Sequence, residues 1–181
     1  MANPTMVNAV GGGDTKQDLR LEELSQIISG KDIRYDPEHW PGLYVRFEEN
    51  SPAIFIFGTG KYNIAGAKSE SELLRSNEKI LTQLRDVGYT VEDDGFEIRN
   101  LVFLDKFSME LDLEALSLKF GLEETEYNPG KFPGMVHSPT EFEGTFVIFR
   151  SGNIIYTGSS ERKDAERAFE SLFETLDSLF S

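Results

Sequence analysis

Residue types able to do acid–base or nucleophilic chemistry are few in this chain and badly grouped. Its two histidines, His39 and His137, sit at unrelated positions, and cysteine is absent, which removes thiolate ligands, disulfides and a thiol nucleophile. Ser138 adjoins His137, but a nucleophile and base also need an orienting acid and an oxyanion pocket, and no such set is legible. No Asp or Glu cluster joins either histidine at metal-ligand spacing. Gly11-Gly12-Gly13 lacks the lysine and helix start of a phosphate loop and reads as flexible chain. The expectation is a protein that is not an enzyme and holds no cofactor or metal.

The chemistry the chain does suggest is binding. The stretch Tyr35-Asp-Pro-Glu-His-Trp-Pro-Gly42 returns 92 positions later as Tyr127-Asn-Pro-Gly-Lys-Phe-Pro-Gly134. At the same offset Ile56-Phe-Gly-Thr-Gly60 returns as Ile148-Phe-Arg-Ser-Gly152, Gly66 as Gly158, and Asn8-Ala-Val10 as Asn100-Leu-Val102. A constant offset means duplication without insertion. Two units follow, residues 1–92 and 93–181, and a pair related by a pseudo-twofold is expected.

Each unit reads as strand, helix, short strand, proline loop, three-strand meander, long helix. Leu19, Leu21, Leu24, Ile27 and Ile28 suit one face of a short helix, as do Leu113, Leu116 and Phe120. Two prolines in five residues exclude a helix or central strand, so the repeated motif is a rigid loop. Leu43–Phe47, Ala53–Phe57 and Lys61–Ala65 are the meander. A helix follows from Ser69, a possible N-cap with Glu72 at the capping-box position; Leu73, Leu74, Ile80, Leu81 and Leu84 form its apolar face. Its counterpart spans about 160–179, with Ala165, Phe169, Leu172, Phe173 and Leu176 inward. The acidic stretch Thr90–Gly95 is the connector.

Antiparallel strands with helices on one face leave the other face open. The strands Ile54-Phe-Ile-Phe57 and Phe146-Val-Ile-Phe149 are apolar at both parities. If one parity meets the helices, Phe55, Phe57, Val147 and Phe149 face outward. Such a surface is a binding face, a dimer interface, or the seat of a second covering layer.

Charge is uneven. Of the net −14, residues 1–92 contribute −4 and residues 93–181 contribute −10. An acidic balance argues against nucleic acid by default and fits either a solvated surface or a particular partner. No apolar run approaches the roughly 20 residues a spanning helix needs, and the first residues lack signal-peptide character. A cytoplasmic protein is expected.

Together the repeated Tyr-x-Pro-x-x-Phe/Trp-Pro-Gly motif, the Ile-Phe-x-Ser/Thr-Gly turn, Gly66-Ala-Lys68, and Asn8 with Asn100 resemble the TATA-box-binding protein family over essentially the whole chain. The short lead before the first repeat is similar to archaeal members. The resemblance implies an α+β saddle, a curved ten-stranded antiparallel sheet with helices on the convex face. It implies a general transcription initiation factor that binds and bends A·T-rich promoter DNA through the minor groove and recruits transcription factor B and, through it, RNA polymerase. The bound species would be nucleoid-associated in an archaeal cell. A homodimer of the free protein would hide the apolar face.

By position, Trp40 with Phe57 and Phe132 with Phe149 match the wedge pairs of the family. Asn8 and Asn100 match its hydrogen-bonding asparagines, and Val10 and Val102 their apolar neighbours. Phe55 and Val147 match groove contacts, as do Ile155 and Thr157. Arg46, Lys61 and Lys68 match basic positions near phosphate. The chain departs from the family pattern at several points. Asn63 and Ala65 replace valine and threonine, and Ser138, Asn153 and Ser160 replace the basic positions of the second repeat. Asn128-Pro-Gly130 lacks the acids that usually engage transcription factor B, while Asp36 and Glu38 place acids on the first loop. These departures leave a second reading open, a divergent paralogue acting as a protein-interaction regulator with weak or no DNA binding.

Overall fold

A computed structural model describes residues 1–92 and 95–180. Of the connector expected at Thr90–Gly95, Asp93 and Asp94 therefore lie outside the described residues. The chain divides into two compact units, Asn8–Arg99 and, as the other, Met1–Val7 together with the chain from Asn100 onward.

The first unit comprises β1 (Thr5–Asp14) from Asn8 on, α1 (Leu21–Ile27), β2 (Asp32–Tyr35), β3 (Gly42–Arg46), β4 (Ala53–Phe57), β5 (Lys61–Ala67), α2 (Glu70–Asp86) and the first residues of the next strand, through Arg99. Its strands are antiparallel in the order β2-β3-β4-β5-β1. The second comprises β6 (Glu97–Lys106) from Asn100 on, α3 (Leu113–Phe120), β7 (Thr125–Glu126), β8 (Gly134–His137), β9 (Thr145–Phe149), β10 (Asn153–Ser159) and α4 (Arg162–Phe180), in the order β6-β10-β9-β8-β7. The duplication thus appears as the same strand order twice.

In each unit the helices cover one sheet face, and strand alternation decides which residues they meet. Leu43, Val45, Ile54, Ile56, Tyr62 and Ile64 are buried on the covered side of the first sheet. Met135, Phe146, Ile148, Ile154 and Tyr156 are their counterparts in the second. Leu73, Ile80, Leu81 and Leu84 of α2 and Ala165, Phe169, Leu172, Phe173 and Leu176 of α4 supply the helix side of the two cores. A tyrosine hydroxyl ties each long helix to its sheet: Tyr62 donates to Asn77 Oδ1 at 2.5 Å, and Tyr156 donates to Asp164 Oδ2 at 2.5 Å. Burial and the Asp164 carboxylate push the Tyr156 hydroxyl pKa well up.

Three local expectations change. Gly11-Gly12-Gly13 is not flexible chain; it lies buried inside β1, where its missing side chains make room for Phe96, Arg99 and Tyr62. Leu74 and Ile27 point to solvent, at 50% and 54% exposure, because helical rotation carries each past the edge of its apolar stripe. Ser69 does cap α2, accepting from the Glu72 backbone N–H at 3.1 Å, but Glu72 Oε2 accepts from Lys68 N–H at 2.7 Å instead of closing a capping box. No helix among the described residues is long and apolar enough to cross a membrane.

His137 belongs to the core of the second unit. Its ring stacks on Phe120 (4.2 Å, 11°) and lies parallel to Phe146 (6.2 Å, 14°), with Nδ1 3.2 Å from the Glu124 carbonyl. Burial lowers its pKa below the ordinary 6.5. Between the lowered value and 6.5 the unfolded chain binds more protons than the folded one, so stability rises with pH there and levels off above. On acidification from pH 8, the parent should lose unfolding midpoint below about pH 6.5 relative to His137→Phe, in urea melts of both proteins. A parent-minus-variant difference constant from pH 8 to 5 would contradict this placement.

Candidate nucleic-acid interface

The helix-free faces carry the site residues suggested by the sequence. On the first unit the outward parity of β4 is Phe55 and Phe57, and that of β5 is Lys61, Asn63 and Ala65. β3 adds Tyr44 and Arg46, and Val10 of β1 lies opposite Ala65. On the second unit the outward residues are Val136, Val147, Phe149, Asn153, Ile155 and Thr157. Val102 is half-buried on β6. Phe55, Phe57, Val147 and Phe149, expected to face outward, are half-buried while Ile54, Ile56, Phe146 and Ile148 are fully buried.

The proline loops lay an aromatic ring over each face. In the first, the Asp36 carbonyl accepts from His39 N–H (3.1 Å) and Trp40 N–H (2.9 Å). In the second, the Asn128 carbonyl accepts from Lys131 N–H (2.9 Å) and Phe132 N–H (3.0 Å). Both turns end on a glycine that opens a strand, and the aromatic folds back over it. A Cβ on Gly42 would stand 2.2 Å from the Trp40 ring, and one on Gly134 would stand 2.8 Å from Phe132. Trp40 meets Phe57 edge-on at 5.7 Å and Phe55 at 5.9 Å; Phe132 meets Phe149 at 6.0 Å. Trp40 and Phe132 remain 38% and 45% exposed, large apolar rings in water.

The two asparagines are held alike. Asn8 Oδ1 accepts from Gly66 N–H at 3.0 Å, and Asn100 Oδ1 accepts from Gly158 N–H at 2.8 Å. Each glycine sits in a strand whose pairing shifts register nearby, with φ of +92° and +98°, a conformation that favours glycine. The occupied oxygen fixes each amide, so its nitrogen is the group left to donate. Asn100 Nδ2 reaches Thr157 Oγ1 at 3.2 Å, whereas the Asn8 amide N–H groups have no partner among the described residues.

Arg46, Lys61 and Lys68, the cations that the sequence suggests for phosphate, all lie on the first unit, and the exposed Lys131 and Arg150 lie on the second. Arg46 donates from Nη1 to the Glu49 carbonyl at 3.2 Å, lies 6.0 Å over Tyr44, and its buried Nε has no partner among the described residues. Lys61 and Lys68 are exposed. Sequence reasoning missed Arg34, which lies 5.3 Å over Tyr44 and grips Asp32 through two hydrogen bonds of 2.9 and 2.5 Å. Alternation along β2 was the signal for it. The Arg34 guanidinium holds the Asp32 carboxyl below the usual carboxylate range. Of the loop acids, Asp36 Oδ2 lies 2.8 Å from His39 Nδ1, and Glu38 is exposed. No group of three His, Asp or Glu side chains among the described residues is placed to hold a metal ion.

Two duplicated α+β units, each with one apolar, aromatic-tipped sheet face left uncovered, define a binding protein. The family model described as "Transcription factor TFIID (or TATA-binding protein, TBP)" matches residues 3–87 and again 95–179, and the chain belongs to that family of transcription factors, not to a family of enzymes. It is 40% identical over 167 residues to the TATA-box-binding protein C of Halobacterium salinarum, covering 91% of this chain and 92% of that one. It is 34% identical over 172 residues to the TATA-box-binding protein of Methanocaldococcus jannaschii, with 94% and 92% covered. The solved structure of Methanococcus jannaschii TBP superimposes with a TM-score of 0.84 at 32% identity, over 97% of this chain and 99% of that one. The fold expected from the sequence, ten antiparallel strands with four helices, is the fold of this match.

Because Trp40 is the chain's single tryptophan, its seat over Gly42 can be read directly. Gly42→Ala should unseat the ring and shift tryptophan emission to the red, with the far-ultraviolet dichroism unchanged. Gly158→Ala should leave emission alone but destabilise the protein by about 1–2 kcal/mol through left-handed backbone strain. Unfolding titrations of both variants check this pair of outcomes.

Proposed function

We propose that this protein is an archaeal-type general transcription initiation factor that binds A·T-rich, TATA-box promoter DNA through the minor groove and bends it. In this reading residues 1–92 and 93–181 are its two repeats, and the protein works in the cytoplasm at the nucleoid. The observation that carries the reading is the pair of asparagines, each with its oxygen engaged by a glycine N–H: Asn8 keeps both amide hydrogens to donate, and Asn100 keeps one, the other going to Thr157 Oγ1. The minor-groove edge of an A·T pair offers only acceptors. The half-buried apolar residues Val10, Phe55, Val102, Val147 and Ile155, with Thr157, suit sugars and base edges beside them. Trp40 with Phe57 and Phe132 with Phe149 are the rings that would enter base steps. Arg46, Lys61 and Lys68 would meet phosphates.

A labelled A·T-rich duplex with a fluorophore at each end tests this from low to molar salt. The parent should bring the ends closer, with a shallow salt slope because few cations face phosphate. Phe57→Ala and Phe149→Ala should each weaken binding and bending by about tenfold or more, on the scale of losing one stacked aromatic. Full binding and bending by both variants would contradict the wedge roles.

The same factor would recruit transcription factor B, and RNA polymerase through it. The acids that suit such docking lie on the first proline loop, Asp36 and Glu38, while the second loop has Asn128 and Gly130. Replacing Asp36 and Glu38 by lysine should abolish the ternary complex on DNA without loss of DNA binding, read by gel shift. Unchanged ternary assembly would rule the first loop out. Free of DNA, the apolar faces would be covered by homodimerisation, which sedimentation would detect.

One observation favours a second reading. Ser138, Asn153 and Ser160 leave the second repeat without the cations that the first has in Arg46, Lys61 and Lys68. A regulator that keeps the fold and acts through proteins would show no duplex binding at any salt.

A further inference from the structure

On the helix-free face of the first unit, Gly12 of β1 lies opposite Asn63 of β5. The space where a side chain at Gly12 would stand is filled by the guanidinium of Arg99. A Cβ on Gly12 would lie 2.7 Å from Arg99 Cζ, from Arg99 Nη1 and from Asn63 Oδ1. Arg99 Nη1 donates to that same Oδ1 at 2.7 Å. Glycine therefore opens a slot, the arginine occupies it, and the asparagine holds the arginine there. The pair borders a recess of about 620 Å³ that Phe57 and Lys61 also line, so it stands beside the first-repeat wedge.

The same register pair occurs in the second unit, 92 positions on, as Leu104 opposite Ile155. There the spot is aliphatic, and Leu104 is 40% exposed. One repeat thus presents a cation and an amide where the other presents only carbon.

This difference has a definite meaning if the faces lie in a minor groove, and the inference rests on that reading. Every base pair shows acceptors at purine N3 and pyrimidine O2, and G·C alone adds a donor, the guanine 2-amino group. An aliphatic pair offers that amino group no acceptor, so burying it there leaves a donor unpaired. Asn63 Oδ1 has two lone pairs and Arg99 uses one. The second can accept from the guanine amino group, while the remaining guanidinium and amide N–H groups meet N3 and O2. We propose that Asn63 and Arg99, seated by Gly12, form a base-edge reading pair that admits a G·C pair on the first-repeat side of the site, while Leu104 and Ile155 hold the other side to A·T. The preferred duplex would then be asymmetric, with strict A·T character in one half only.

The test is competition binding at one fixed salt concentration with a set of A·T-rich duplexes. Each A·T pair in turn is replaced by G·C, and separately by inosine·cytosine, which lacks only the 2-amino group. For the parent, one or two positions in one half should lose less than about threefold on G·C replacement, and their mates in the other half about tenfold or more. Inosine·cytosine should restore the loss at the mates. Asn63→Val combined with Arg99→Leu should raise the loss at the tolerant positions to about tenfold, restored by inosine, with other positions unchanged. Gly12→Ala keeps both polar groups and displaces them, so it should raise the same losses; its clash falls on flexible side-chain ends, which keeps the fold intact.

A parent equally strict in both halves, or tolerance that survives both variants, overturns the pair while leaving DNA binding standing. A parent that fails to bind the unmodified A·T duplex overturns the DNA reading, and the pair with it.

Discussion

Everything in this structure depends on sheet sidedness. Residues of a strand alternate between faces, and each sheet here has helices on one face only. Ile54, Ile56, Phe146 and Ile148 are buried beneath those helices, while Phe55, Phe57, Val147 and Phe149 are left half-covered on the other side. Full burial of a large apolar side chain is worth roughly 1.5–3 kcal/mol, so the open residues forgo a good part of that in the free protein. A chain under selection for stability alone would place polar residues there. The open face is apolar instead, and the proline loops add Trp40 and Phe132 to it at the edge of contact with water.

Duplication gives the molecule two copies of one frame, and divergence has made their open faces different. The frame is kept where geometry demands it: the loop carbonyls of Asp36 and Asn128, the ring-bearing glycines Gly42 and Gly134, and the positive-φ glycines Gly66 and Gly158 that hold Asn8 and Asn100. The contacts between frame and solvent are free to drift. Tyr44, Phe55, Arg34 and Arg46 make the first face aromatic and cationic. Their counterparts Val136, Val147, Glu126 and Ser138 make the second aliphatic and neutral to acidic. The two copies of one frame thus carry unlike open faces.

Much of this was legible in the sequence because its signals are local. The proline loops, the meander strands and the long helices each rest on a few adjacent residues, and the parity of Phe55 and Phe57 follows once one face is assigned to helices. Asn8 and Asn100 were singled out through resemblance, but what orients them was not legible. Gly66 and Gly158 lie 58 residues along the chain from their asparagines. The triple glycine was misread for the same reason. Gly11, Gly12 and Gly13 look flexible alone, yet each is fixed by a side chain distant in sequence, Phe96, Arg99 or Tyr62. His137 gave no sign of its place either, since its stack on Phe120 and Phe146 needs three elements assembled.

The central claim is that the open faces read the minor groove. Inosine·cytosine pairs have the minor-groove edge of A·T and the major-groove edge of G·C. Binding to a duplex in which every A·T pair of the site is replaced by inosine·cytosine separates the two grooves in one measurement. The account predicts affinity within about threefold of the A·T parent duplex, a difference small beside the cost of even one mismatched pair. Affinity that falls to the level of the corresponding G·C duplex would contradict it.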